Sequence, residues 1–188
     1  MFEQIEHAAR LRGCTHIVLG VTPDLITCAK GMINGAVPMG GVIVRDQVYQ
    51  GLMSGPPATI ELFHGYTYSA HPLACAAALA TLDVYRDDDL FARTGRIAPY
   101  WENAAHALKS ASHVIDIRNI GLLAAIELQP REGAPGVRGA ACASRCFEEG
   151  FLIRASGDTL VLSPPLIIDE REIDALFAAI GRSLNAIE

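Results

Sequence analysis

Lysine is nearly missing from this chain. Of its 15 basic residues only Lys30 and Lys109 are lysine, so arginine supplies almost all the positive charge. Basic clusters are absent too, and a net charge of -6 with a pI near 5.5 argues against a nucleic-acid surface. No apolar run is long enough to span a membrane, and the first residues do not have the pattern of a secretory signal. The five cysteines are odd in number and lack any paired-motif spacing. Cys28 and Cys75 sit in apolar runs and Cys142 and Cys146 stand at helical spacing, which predicts buried, reduced thiols and a cytoplasmic compartment. The six histidines are scattered, and none is set beside a cysteine at ligand spacing, so no metal site is expected.

What is present is the composition of an ordinary globular protein. With 51% hydrophobic and 19% charged residues over 188 positions, the chain can bury a core in one domain or two. One stretch stands out, "PDLITCAKG" over 23–31, in which a short apolar run ends on one of the two lysines. The run reads as a buried strand, and it leaves the Lys30 ammonium partly desolvated. Such a cost is offset when the amine is paired or chemically used.

The rest of the pattern is legible from turn and periodicity signals. A strand over 24–29 leads through a Gly/Pro-punctuated stretch to a second strand, Gly41 to Val44, and a short helix, Asp46 to Met53. Pro72 opens an alanine-rich helix, "PLACAAALATLDVYRD", whose apolar residues run nearly all round and predict burial. Leu90 to Ser110 reads as a long amphipathic helix, and "HVIDIRNIGLLAAIEL" as two strands about an Asn119–Gly121 turn. "QPREGAPGVRG" reads as a flexible loop and Ala140 to Glu149 as a helix closed by Gly150. "FLIRAS" and "TLVLSPP" read as strands across Gly157-Asp158, and the last helix starts at Asp169 with Glu172 as its capping-box partner. The alternation of Leu152 and Arg154 against Phe151 and Ile153 leaves open which pair faces inward. These elements predict a piece of a parallel-sheet α/β domain over 1–85, with 1–20 an atypical leader, and a smaller α+β domain over 86–188.

Four stretches together resemble the class III (omega-amino acid) aminotransferases, pyridoxal-phosphate enzymes of fold-type I. They are "PDLITCAKGMINGAVPMGGVIV", "HGYTYSAHPLACAAALATLDVY", "IRNIGLLAAIEL" and "FLIRASGDTLVLSPPLIIDEREID". The likeness runs from about Val21 to the C-terminus and is strongest to the beta-alanine–pyruvate branch. It implies a partial fold-type I large domain followed by the C-terminal small domain. It also implies transfer of an amino group from an omega-amino acid such as beta-alanine, or from an amine, to pyruvate.

The resemblance gives roles to particular residues. Lys30 matches the lysine that forms the internal Schiff base with pyridoxal 5'-phosphate, and a desolvated amine is neutral often enough to attack a carbonyl. Thr67, in "GYTYS", matches the threonine that binds the cofactor phosphate across the dimer interface, with Tyr66 beside it lining the pocket. Arg154 matches the arginine that takes a substrate carboxylate, which its planar fork pairs bidentately. His64 and His71 flank the phosphate loop as hydrogen-bonding residues. The implied partners are a small amino donor, a keto acid acceptor and a second copy of the chain.

The family also places an aspartate against the pyridinium nitrogen, on the strand before the lysine strand. Residues 1–20 contain no aspartate. The chain thus reads as the C-terminal half of a transaminase behind an unrelated or frame-disrupted leader, with little turnover expected of these 188 residues alone and with the helix at 72–85 expected to lack its cover and expose an apolar patch. Two further readings stay open: an inactive fragment, and a class III relative acting on another amine.

Overall fold

The computed structural model describes residues 22–58 and 64–187, so the stretch 1–20 lies outside the described residues. These fall into two compact units that part between Leu90 and Phe91.

In the first unit, β1 (Leu25–Ala29) and β2 (Gly40–Val44) form a two-stranded antiparallel sheet, with Leu25 opposite Val44 and Ala29 opposite Gly40. The parallel pairing expected from sequence is not found among the described residues. The physical reason is the connection: residues 30–39 fold back directly, whereas a parallel pair needs a crossover, usually a helix. α1 (Asp46–Met53) follows, and α2 (Pro72–Asp87) begins, as its proline signalled, at the first helical position.

β1 is not buried as expected, while α2 has the exposed apolar surface expected of it where its sheet cover is lacking. β1 alternates exposed and half-buried residues, since one face of a two-stranded ribbon stays open. In α2 only Ala74 and Ala78 are buried, while Leu73 and Leu79 are 67% and 65% exposed. A helix apolar on all sides needs neighbours on all sides, and among the described residues it has them on one. Cys28 and Cys75, expected inside, are likewise only half-buried.

The second unit is a closed α+β body. Its four strands, β3 (Val114–Ile120), β4 (Leu123–Leu128), β5 (Arg154–Ser156) and β6 (Thr159–Leu162), lie in the order β3-β4-β6-β5, antiparallel throughout. Gly121, with φ at 55°, makes the turn between β3 and β4. Alternate residues of β4 and β6 point into one core with the inner faces of three helices, α3 (Leu90–His106), α4 (Val137–Glu148) and α5 (Glu170–Ala186). Trp101, Ile126, Leu128, Leu160, Ile173, Ile180 and Leu184 are all fully enclosed there, as are Cys142 and Cys146. Trp101 meets Phe177 edge-on at 4.9 Å between ring centres.

Several boundaries shift for local reasons. α3 ends at His106 and its last expected turn tightens into a 3-10 segment, Ala107–Ser110. α4 starts three residues earlier than its apolar spacing suggests, because the Asp158 carboxylate accepts from the backbone N–H of Gly136 at 2.5 Å and of Gly139 at 3.1 Å. The stretch expected to be a flexible loop is pinned here. A Cβ at position 139 would stand 2.2 Å from the Gly157 carbonyl oxygen, so the helix rests directly on the β5–β6 turn. At α5 the reciprocal cap is present: Glu172 N–H donates to Asp169 at 2.8 Å and Asp169 N–H to Glu172 at 3.0 Å.

Candidate active site

Lys30 stands where β1 ends and opens a one-turn 3-10 segment, Lys30–Met32. Ala29 before it is extended, and Lys30 itself takes φ at 52°, the left-handed region. A long side chain adopts that conformation rarely, at a cost of about 1–2 kcal/mol. Two hydrogen bonds hold the turn: Ile33 N–H donates to the Lys30 carbonyl at 3.1 Å, and the Tyr85 hydroxyl of α2 donates to the Gly31 carbonyl at 2.5 Å. Lys30 is exposed, which corrects the expectation of a partly desolvated ammonium. The open face of the β1–β2 ribbon leaves it in contact with water.

Lys30 lines a hollow of about 630 Å³ together with Gly31, Asn34 and the segment Ala36–Met39. Thr67 lines a second hollow of about 890 Å³, with Gly65, Ser69 and His71 among its neighbours. The two hollows adjoin: Val37, Pro38 and Met39 form a wall of each. The hollows of Lys30 and Thr67, 37 positions apart in sequence, thus share three lining residues of the Gly/Pro-punctuated loop. Tyr66 is placed differently from expectation. Its ring stacks edge-on against His64, 4.9 Å between centres, and it lines neither hollow, whereas Tyr68 lines the second. The chain turns here, with Ser69 N–H donating to the Tyr66 carbonyl at 2.9 Å, so the two tyrosines do not share a face as they would two apart in a strand.

Arg154 lies in the second unit, at the start of β5. Phe151 and Ile153 pack against the core, and Leu152 and Arg154 are exposed, which settles the alternation left open by sequence. Arg154 lines a separate hollow of about 780 Å³ whose far wall is the segment 162–168. That wall is braced from α3, where the Arg93 guanidinium donates to the carbonyls of Leu166, Ile167 and Ile168 at 2.5, 2.9 and 2.7 Å. Sequence reading missed Arg93, and an arginine early in a helix gives no local signal of so distant a partner. Among the described residues no His, Cys, Asp or Glu group could hold a metal ion, and no helix is long and apolar enough to cross a membrane.

Each hollow has one group suited to an aldehyde-bearing phosphate ester: in the first a primary amine for a carbonyl, in the second a hydroxyl in a glycine-containing turn for a phosphate. Neither hollow is lined by a carboxylate among the described residues, so the ring-nitrogen partner of such a cofactor is not found in this set.

The sequence model of the class-III aminotransferases matches residues 11–184. This chain belongs to the class III aminotransferases. The match begins ten residues before the Val21 at which the motifs become clear, inside the stretch 1–20. The omega-aminotransferase of Caulobacter vibrioides is 55% identical over 169 residues, covering 90% of this chain and 38% of that protein. The beta-alanine–pyruvate aminotransferase of Pseudomonas aeruginosa is 46% identical over 170 residues, covering 89% of this chain and 38% of that protein. Among solved structures, the PMP-bound aminotransferase of Vibrio fluvialis superposes with a TM-score of 0.85 at 29% identity, over 93% of this chain and 40% of that one. The chain therefore spans under two fifths of the length of these curated relatives. Class III aminotransferases depend on pyridoxal phosphate, and the fold here is a partial aminotransferase fold of mixed helix and sheet.

Proposed function

We propose that these residues form the lysine-bearing and carboxylate-binding part of a pyridoxal-phosphate transaminase that moves an amino group from an omega-amino acid such as beta-alanine to pyruvate. The observation that carries the reading is Lys30, a primary amine set in a left-handed turn at the end of β1 and lining a hollow of about 630 Å³. The names of the relatives support pyruvate as acceptor. Pyridoxal phosphate, when bound, supplies an aldehyde for the amino group and a ring that delocalises the electrons of a breaking C–H bond.

The chain's own residues do the rest. Lys30 would hold the aldehyde end through its amine and, when free, would carry a proton as a general base and acid. The Thr67 hydroxyl would donate to the phosphate. The Arg154 guanidinium pairs with the carboxylate of the amino or keto acid through two parallel N–H donors. Tyr66, stacked on His64, contributes to the rim of the Thr67 turn and not to its hollow. The working protein is a cytoplasmic homodimer in this reading, with Thr67 serving its partner's cofactor.

A second reading, a chain without turnover of its own, is favoured by the exposure of Lys30 and of the apolar face of α2. One experiment separates the two. The purified chain is mixed with pyridoxal phosphate, reduced with borohydride and mapped by peptide mass. Adduct confined to Lys30, with amino transfer on addition of beta-alanine and pyruvate, is the expected outcome of the first reading. Adduct spread evenly over Lys30, Lys109 and the N-terminal amine refutes it.

A further inference from the structure

The backbone at Lys30 is held from an unexpected distance. The chain arrives extended at Ala29 and turns sharply at Lys30 into the left-handed region. A residue in that region persists only where its surroundings over-determine it. On one side, Met32 of the same turn fills the space over Gly41 of β2: a Cβ at 41 would stand 3.3 Å from its Cε. On the other side, the Tyr85 hydroxyl reaches across 54 positions to the carbonyl of Gly31, the residue that follows the lysine. Tyr85 lies in the last two turns of α2, whose hold on the unit is through Ala74 and Ala78. The Tyr85 hydroxyl is also the nearest group to the space over Gly31, where a Cβ would meet it at 3.4 Å.

We propose that Tyr85 is a positioning residue for Lys30: its hydroxyl fixes the Gly31 peptide and thereby the direction in which the lysine side chain leaves the β1 turn. This rests on the reading of Lys30 as the amine that takes the cofactor aldehyde. The chemistry favours such a brace. Condensation of an amine with an aldehyde requires a defined approach, and a small misplacement of a reacting group costs much of the advantage of holding it. The ring of Tyr85 alone would serve packing equally well as phenylalanine. Only the hydroxyl makes the bond to Gly31, so the oxygen is the testable atom.

The test uses the full chain and Tyr85→Phe. Each is exposed briefly to pyridoxal phosphate, reduced with borohydride, and the pyridoxyl adduct on Lys30 is measured relative to that on Lys109. Lys109 lies in the other unit and is an internal reference for an ordinary amine. Amide hydrogen exchange is followed in parallel at Ile33, whose N–H closes the Lys30 turn, and at Leu128 in the core of the second unit. The expected result is a Lys30-to-Lys109 ratio lower in Tyr85→Phe on the order of tenfold, with faster exchange at Ile33 and none of that change at Leu128. A selective parent chain with an unchanged ratio in Tyr85→Phe overturns the proposal and leaves the reading of Lys30 standing. A parent chain that does not prefer Lys30 over Lys109 overturns both.

Discussion

Ile126 and Leu79 are both aliphatic residues in the middle of regular elements, yet Ile126 is wholly enclosed and Leu79 is 65% exposed. The difference belongs to their units and not to the residues. In the second unit one antiparallel sheet and three helices turn their apolar faces to a common centre, and every strand has a partner. In the first, α2 and the β1–β2 ribbon present apolar faces that no other described element covers, and Ile33, Ala74 and Ala78 are among its few buried residues. Hydrophobicity sets the tendency to be buried, but burial needs a second surface of matching shape. The comparison also separates the functional groups. Arg154 stands on the self-sufficient body, while Lys30 and Thr67 stand on the open one.

The strongest way to break this comparison is a cavity in the closed unit. Ile126→Ala removes a fully enclosed side chain and is expected to cost about 2–5 kcal/mol in a urea titration. A loss under about 0.5 kcal/mol, within the range of a surface change, would mean that the second unit is no better packed than the first. Gly139→Ala comes next. Its added methyl would sit on the Gly157 carbonyl, and strain of about 1–3 kcal/mol is expected in the same titration. An unchanged midpoint would show that α4 does not rest on the β5–β6 turn. Asp169→Ala removes one half of a reciprocal cap on α5, with an expected loss of about 1 kcal/mol. Glu172→Gln, which keeps a hydrogen-bonding side chain at that position, should lose less.

The smallest effect is expected in the open unit. Leu79→Gln on the exposed face of α2 should change the stability of the isolated chain by no more than about 0.5 kcal/mol. A loss comparable to that of Ile126→Ala would mean that α2 is covered after all. These five substitutions, measured in one chain and one buffer, place the two units on a common scale.

Much of this protein was legible in its residues taken singly. The Pro72 start of α2, the Asp169/Glu172 cap and the Gly121 turn are local events, decided by groups within a few positions of each other. The choice of Lys30, Thr67 and Arg154 as site residues also came from sequence, through motif wording and not through any physical periodicity. What sequence misjudged was environment. It made β1 buried, put Lys30 out of water, turned Tyr66 inward and let the 129–139 stretch float.

Each of those depends on which distant surface arrives. Arg93 reaches the carbonyls of 166–168, Asp158 reaches the N–H groups of 136 and 139, and Tyr85 reaches Gly31, all across long sequence separations. Sequence by itself determined the elements and their caps, because backbone preferences and short-range hydrogen bonds act over one or two turns of chain. Only the tertiary structure decided what is buried, which wall lines which hollow and how Lys30 is held. Burial and long-range hydrogen bonds are properties of pairs of surfaces, and no single stretch of chain carries both members of the pair.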